Sequence, residues 1–235
     1  MYLYHGYYGS VSFDWTYIAL IIAMFVSMII SVRVKTTFNK YAKKASRSGL
    51  TAEQAVQRML NANGVYGVGI QRIGGSLTDN YNPKTNVISL SESVYGKNSV
   101  SAIGVACHEA GHALQYAEEY GPAKLRLAIV PVTNFGSRLS MPLLLIGLFL
   151  GFMELVWAGI LLFSLSTFFQ LVTLPVEFDA SKRALAAMEG SGILMDDEAK
   201  DAKRVLSSAA MTYVAALATS VLMLLRYISI AKRRD

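Results

Sequence analysis

Residues 141–176 carry a single charge, Glu154. At a helical rise of about 1.5 Å per residue they would extend roughly 54 Å, well beyond the roughly 30 Å hydrocarbon core of a bilayer. One straight crossing cannot use that length, so a membrane hairpin is expected. Its turn falls near Gly147, Gly151 and Glu154, with a first arm ending near Phe152 and a second over about 155–175. The first arm is short unless it borrows residues upstream of Met141, with Arg138 snorkelling to the interface. Residues 15–32 have no charge at all and read as a separate transmembrane helix. Residues 209–225 are also uncharged and rich in alanine; a fourth span is favoured there over a helix buried against the other arms or an interfacial segment. With 53% hydrophobic residues the chain is too apolar for an ordinary soluble domain.

Charge orients these spans. Residues 1–14 contain no Lys or Arg, whereas Arg33, Lys35, Lys40, Lys43, Lys44 and Arg47 follow the first apolar run with no acid among them. Positive charge favours the cytoplasmic side, which puts the N-terminal tail outside and the following segment inside. A cleaved signal peptide would show the opposite order. The formal charge of +6 is thereby explained by a topology anchor that also attracts anionic lipid, and nucleic acid is not expected as a partner. A fourth span would carry the basic C-terminus outside, against the same rule. The single cysteine, Cys107, excludes an internal disulfide and reads as a small buried core residue.

Residues 105–115 read VACHEAGHALQ. On a helix His108 and His112, four residues apart, project from one face about a turn apart and can close on one Zn²⁺. Glu109 lies beside that face, placed to take a proton from water held at the metal. Asn98 or Ser99 can cap the start of the helix, and Gly121-Pro122 is expected to stop it. Catalytic zinc usually takes three protein ligands. The only other histidine, His5, precedes the first span and falls on the opposite side, so a carboxylate is needed. Glu177 is the best candidate: the hairpin returns it to the side carrying His108 and His112, and it follows Pro175 at the start of the helical stretch FDASKRALAAME. Asp179, two residues on, points about 200° away, while Ser181 shares the face of Glu177 and can support a ligand by hydrogen bonding.

HEAGHALQ, a hydrophobic hairpin and then PVEFDAS resemble the YugP-type neutral zinc metallopeptidases of bacterial membranes, which are similar in general plan to the HtpX-type and CAAX-prenyl-type membrane metalloproteases. The resemblance covers essentially the whole chain. It implies that His108, His112 and Glu177 ligate Zn²⁺, that Glu109 is the catalytic base, and that the protein sits in the bacterial plasma membrane. HtpX-like proteins typically carry Asp four residues after the ligand Glu, where this chain has Ser181.

Upstream, residues 50–64 read as an amphipathic helix capped at Thr51, with Ala55, Val56, Met59 and Leu60 as its stripe. Short strands are expected at 68–73, 76–81 and 87–90, with a turn at 82–86. The free edge of such a sheet could hold an extended peptide by backbone hydrogen bonds.

The expectation is therefore a predominantly α-helical membrane protein with three to four transmembrane helices and a small α+β zincin-like cytoplasmic catalytic domain. Its parts are an outside tail (1–14), a span (15–32), a cytoplasmic part with the sheet and the HEAGH helix (33–137), a hairpin (138–176), cytoplasmic helices (177–206) and a fourth membrane helix (207–228). The expected activity is zinc-dependent endopeptidase action on peptides or membrane proteins near the cytoplasmic face. Tyr81, Tyr213, Arg183 and Arg204 are oxyanion candidates among which the sequence does not choose. The rivals are an intramembrane-cleaving metalloprotease and a non-enzymatic membrane scaffold. An oligomer or a membrane partner protein is compatible with either reading.

Overall fold

The computed structural model describes residues 15–234, so the N-terminal tail and His5 lie outside the described residues. Six helices and a three-stranded sheet follow in the order α1 (Trp15–Tyr41), α2 (Ala52–Ala62), β1 (Gly69–Ile73), β2 (Asn80–Asn82), β3 (Val87–Ser91), α3 (Val100–Ala117), α4 (Gly121–Leu150), α5 (Met153–Gly190) and α6 (Asp196–Lys232). Four of them, α1, α4, α5 and α6, are long and apolar enough to cross a membrane.

The hairpin forms, and its two helices extend beyond the apolar run at either end. Helix α4 begins twenty residues before Met141 and carries Arg138 within it. The turn is made by Gly151, whose φ of 75° suits a residue without a side chain, and the Phe152 N–H donates to the Gly147 carbonyl at 2.9 Å. The arms touch through glycines: a Cβ on Gly159 would fall 2.8 Å from the Ser140 carbonyl oxygen, and one on Gly147 would fall 2.8 Å from the Val156 nitrogen. Small residues are what let helix backbones approach where lipid offers no hydrophobic drive to association.

Three expectations need correction. Pro175 does not end a helix, and Glu177 does not open one; both lie inside α5. An interior proline removes one backbone hydrogen bond, but Val172, Thr173, Val176, Glu177 and Ala180 are buried on either side of it, and that packing holds the helix through. Gly121-Pro122 does not stop the HEAGH helix, which ends at Ala117; it opens α4 instead, with proline in the first turn where its missing N–H costs nothing. The middle strand is three residues long and not six. Leu77 has a positive φ of 56°, and the Asp79 carboxylate accepts the Ser91 backbone N–H at 2.7 Å and its hydroxyl at 2.9 Å, so a side chain replaces the ladder there. The sheet order is β1-β3-β2, with β1 parallel and β2 antiparallel to β3, so β2 is an edge.

Helix α2 lies where its stripe predicts, burying Ala52, Ala55, Val56, Met59 and Leu60, and its first turn is closed by the Thr51 N–H donating to Gln54 Oε1 at 3.0 Å. Together with Ile88 and Leu90 of β3, the apolar face of α3 and residues 184–206, it forms one core at one end of the four long helices. A smaller cluster of Leu144, Val156, Ile160 and Ala231 closes the other end, where Arg234 donates to the Leu148 carbonyl at 2.9 Å. Helices α1 and α6 run antiparallel, since Tyr17 stacks with Arg226 at one end and Tyr41 accepts from Arg204 at the other.

Helix α3 is wedged between α5 and α6. Ser99 caps it, accepting the Ala102 N–H at 3.3 Å. Cys107 is fully buried, and burial pushes its thiol up, so it is an inert core residue. Gly111, inside HEAGH, meets the backbone of α5: a Cβ there would run into the Ala180 carbonyl oxygen. Gly104, two turns earlier, has only Ala202 Cβ at 3.4 Å. Gly111→Ala is therefore expected to cost about 1–3 kcal/mol through overpacking against a backbone that cannot yield. Gly104→Ala should be neutral or stabilising, since alanine gains up to about 1 kcal/mol in helix propensity. Thermal midpoints of the two variants in detergent check the contrast, and equal midpoints would mean the α3–α5 contact is not tight.

Candidate metal centre

The wedge brings three side chains to one point. His108 Nε2 lies 3.2 Å and His112 Nε2 3.6 Å from the same oxygen, Glu177 Oε2. A tetrahedral centre with bonds of about 2.0–2.1 Å spaces its ligand atoms roughly 3.4 Å apart. The residues present thus fit a zinc ion in donor chemistry and in spacing, and His108, His112 and Glu177 form the only such group of His, Cys, Asp or Glu side chains among the described residues. Glu177 is 2% exposed, and its second oxygen, Oε1, accepts from Arg126 Nη1 at 2.8 Å. The guanidinium fixes the rotamer and leaves Oε2 facing the imidazoles.

The imidazoles are held from behind. Gln115, fully buried, donates its Nε2 to the Val176 carbonyl and to Asp179 Oδ2, both at 2.8 Å. Those two acceptors fix the amide so that its oxygen faces His112 Nδ1 at 3.0 Å. His112 must then carry its proton on Nδ1, which leaves the Nε2 lone pair toward Glu177. His108 Nδ1 meets the Ser181 hydroxyl at 3.1 Å. A hydroxyl can donate or accept, so it supports this ring without dictating the tautomer as Gln115 does.

Glu109 is 8% exposed, and burial pushes its carboxyl above the usual range while the two histidines pull it back. It borders two cavities. One, of about 190 Å³, lies toward α1 and α6, where Val34, Phe38, Val205, Leu206, Ala209 and Ala210 make its wall apolar. The other, of about 230 Å³, lies toward α4 and the sheet edge, lined by Tyr81, Tyr116, Arg126 and Leu127 among others. Asp79, Glu109, Glu177 and Tyr213 line both.

The oxyanion candidates part company. Tyr213 stands at both cavities; Tyr81 stands at the second, its hydroxyl donating to Asn86 Oδ1 at 2.9 Å. Arg183 is turned away, bonded to Asp179 at 2.5 Å and to Glu118. Arg204 bonds Tyr41 and Asp201 on a different groove. Asp179 is not part of the His-His-Glu group but is tied to His112 through Gln115. Sequence reasoning missed Arg126, Gln115 and Asp79. A signal for Gln115 existed, since it follows His112 by three residues and so shares its helix face; Arg126 had none.

A largely buried His-His-Glu cluster with a neighbouring carboxylate, set beside long apolar helices, has the donor set that a membrane zinc peptidase would need. Residues 16–232 match the family described as "putative neutral zinc metallopeptidase", and the chain belongs to that family. It is 46% identical over 210 residues to a Bacillus subtilis (strain 168) protein described as "putative membrane protease YugP", covering 89% of this chain and 93% of that one. No solved structure matches.

Proposed function

We propose that the protein is a membrane-embedded endopeptidase that uses Zn²⁺ held by His108, His112 and Glu177 to cut peptides or membrane proteins. The observation that supports this most is the meeting of both imidazole nitrogens on one carboxylate oxygen, with Glu109 beside them at the junction of two cavities. When bound, the ion supplies Lewis acidity toward a peptide carbonyl and brings the pKa of water toward about 7. Glu109 takes the proton from the attacking water and returns it to the leaving amine as the C–N bond breaks. Its low exposure keeps bulk water from competing for that proton. Tyr213, at both cavities, is the donor placed to hold the developing oxyanion, a task Arg183 and Arg204 cannot share while bonded elsewhere.

The cavities divide the substrate. A peptide crossing Glu109 would lodge an apolar side chain in the chamber walled by α1 and α6, and would continue past Tyr81 and Arg126 along the β2 edge. That course suits an extended segment leaving a membrane. Measuring zinc content and casein or self-cleavage of the purified protein, with and without chelator, tests the reading. Stoichiometric zinc with no hydrolysis would favour a scaffold.

The site is assigned to the cytoplasmic face of a bacterial plasma membrane. The basic residues after α1 support this, and the hairpin tip would then lie outside together with residues 1–14. Residues 33–137 and 177–206 would form the cytoplasmic catalytic part. Cysteines introduced at Glu154 and Lys97, both exposed, should label from outside intact cells at the first position and stay protected at the second. Buried Cys107 contributes no background. Labelling at Lys97 would reverse the orientation.

A further inference from the structure

The geometry points to a second binding site, a groove between α1 and α6 that holds the headgroup of an anionic phospholipid. The groove has a volume of about 780 Å³ and is lined by Arg33 and Lys40 of α1 and by Lys200, Lys203 and Arg204 of α6. Each set follows helical spacing: 30, 33, 37 and 40–41 on one helix, 200, 203–204, 207–208 and 211 on the other, so each lines one face. Thr37, Ser207 and Ser208 add hydroxyls between the cations.

The cations are poorly compensated. Among the described residues Arg33, Lys40, Lys200 and Lys203 make no ion pair with a carboxylate. The nearby acid, Asp201, is already shared by Lys44 at 2.8 Å and Arg204 at 2.9 Å. Like charges lined up along a groove repel one another, and an anion between them relieves that repulsion.

The apolar end of the groove selects a lipid over a free phosphate. Ile30 and Met211 close it, and beyond Ile30 the surface of α1 is continuous exposed hydrocarbon, including Phe25, Val26, Met28 and Ile29. An amphiphile with an anionic head and an acyl tail matches both parts, whereas a soluble anion matches only the first. The site rests on the membrane character of α1 and α6 and needs nothing from the hydrolytic reading.

Lipid binding read by native mass spectrometry tests the site, on the full chain in neutral detergent. The probes are phosphatidylglycerol, phosphatidylcholine and inorganic phosphate. A basic residue at an anionic surface strengthens attraction about five-fold. The triple variant Arg33→Gln, Lys200→Gln, Lys203→Gln should therefore lose about 10²-fold in phosphatidylglycerol affinity. A charge-matched triple outside the groove, Lys35→Gln, Lys43→Gln, Lys182→Gln, should keep it, and phosphatidylcholine should bind weakly to all three proteins. Should the groove triple fail to fold, Lys200→Gln, Lys203→Gln carries the same comparison with an expected loss of about 25-fold. Equal losses in both triples, no selectivity over phosphatidylcholine, or binding of inorganic phosphate in place of the lipid would each overturn the proposal.

Discussion

Replacing Glu109 by Gln should leave zinc bound while peptide hydrolysis falls by a factor on the order of 10² to 10⁴, the range for loss of a general base. The substitution keeps size and hydrogen bonding and removes only the basic oxygen. It touches none of the groups that position the metal site, because Gln115 and Ser181 hold the histidines and Arg126 holds Glu177. Metal content by mass spectrometry, with turnover of an unstructured protein substrate, reads both halves of the expectation. Parent-rate hydrolysis in a zinc-loaded Glu109→Gln protein would remove Glu109 from the mechanism.

Glu177→Ala should abolish stoichiometric zinc and activity together, a larger effect than the roughly 10–100-fold that a supporting residue carries. Two losses coincide here: the carboxylate ligand disappears, and Arg126 is left facing two imidazoles with no anion between them. Ser181→Ala should cost about ten-fold in zinc affinity, since it frees one ring nitrogen of His108 without reversing its tautomer. Asp179→Ala should retain zinc, because the Val176 carbonyl still accepts from Gln115 and keeps the amide oriented. A chain that kept zinc without Glu177 and lost it without Asp179 would place the third ligand wrongly.

What could be read from the sequence followed periodicity. His108 and His112 sit one turn apart on any helix, and uncharged runs of membrane length announce themselves by composition, so the spans and the two imidazoles were legible. Glu177 was reached through topology, because a hairpin must return the chain to the side it left. Gln115 was passed over although its three-residue spacing from His112 could have marked it, whereas the role of Arg126 depends on which other helix arrives beside it. The middle strand was drawn too long for a related reason. Alternation cannot reveal that Asp79 will spend its carboxylate on Ser91 in place of a backbone partner. Pro175 misled in the opposite direction, since its local cost to a helix is overridden by neighbours that only tertiary packing supplies.

Helix α5 carries Glu177 on the same rod as an apolar stretch long enough to cross a bilayer. The same unbroken rod that starts at the hairpin turn, Met153, presents the carboxylate about 36 Å further on, at about 1.5 Å per residue, while both histidines ride on α3, which is anchored to the sheet and α2. A rod of that length tilting by about 5° to match a thinner or thicker membrane sweeps its far end through roughly 3 Å, as long as the ligand spacing itself. What stands against such leverage is the backbone contact of Gly111 with Ala180, one turn beyond the carboxylate. Gly111 is in that sense a clutch, coupling the carboxylate carried on the long apolar rod to the imidazoles carried on the short helix.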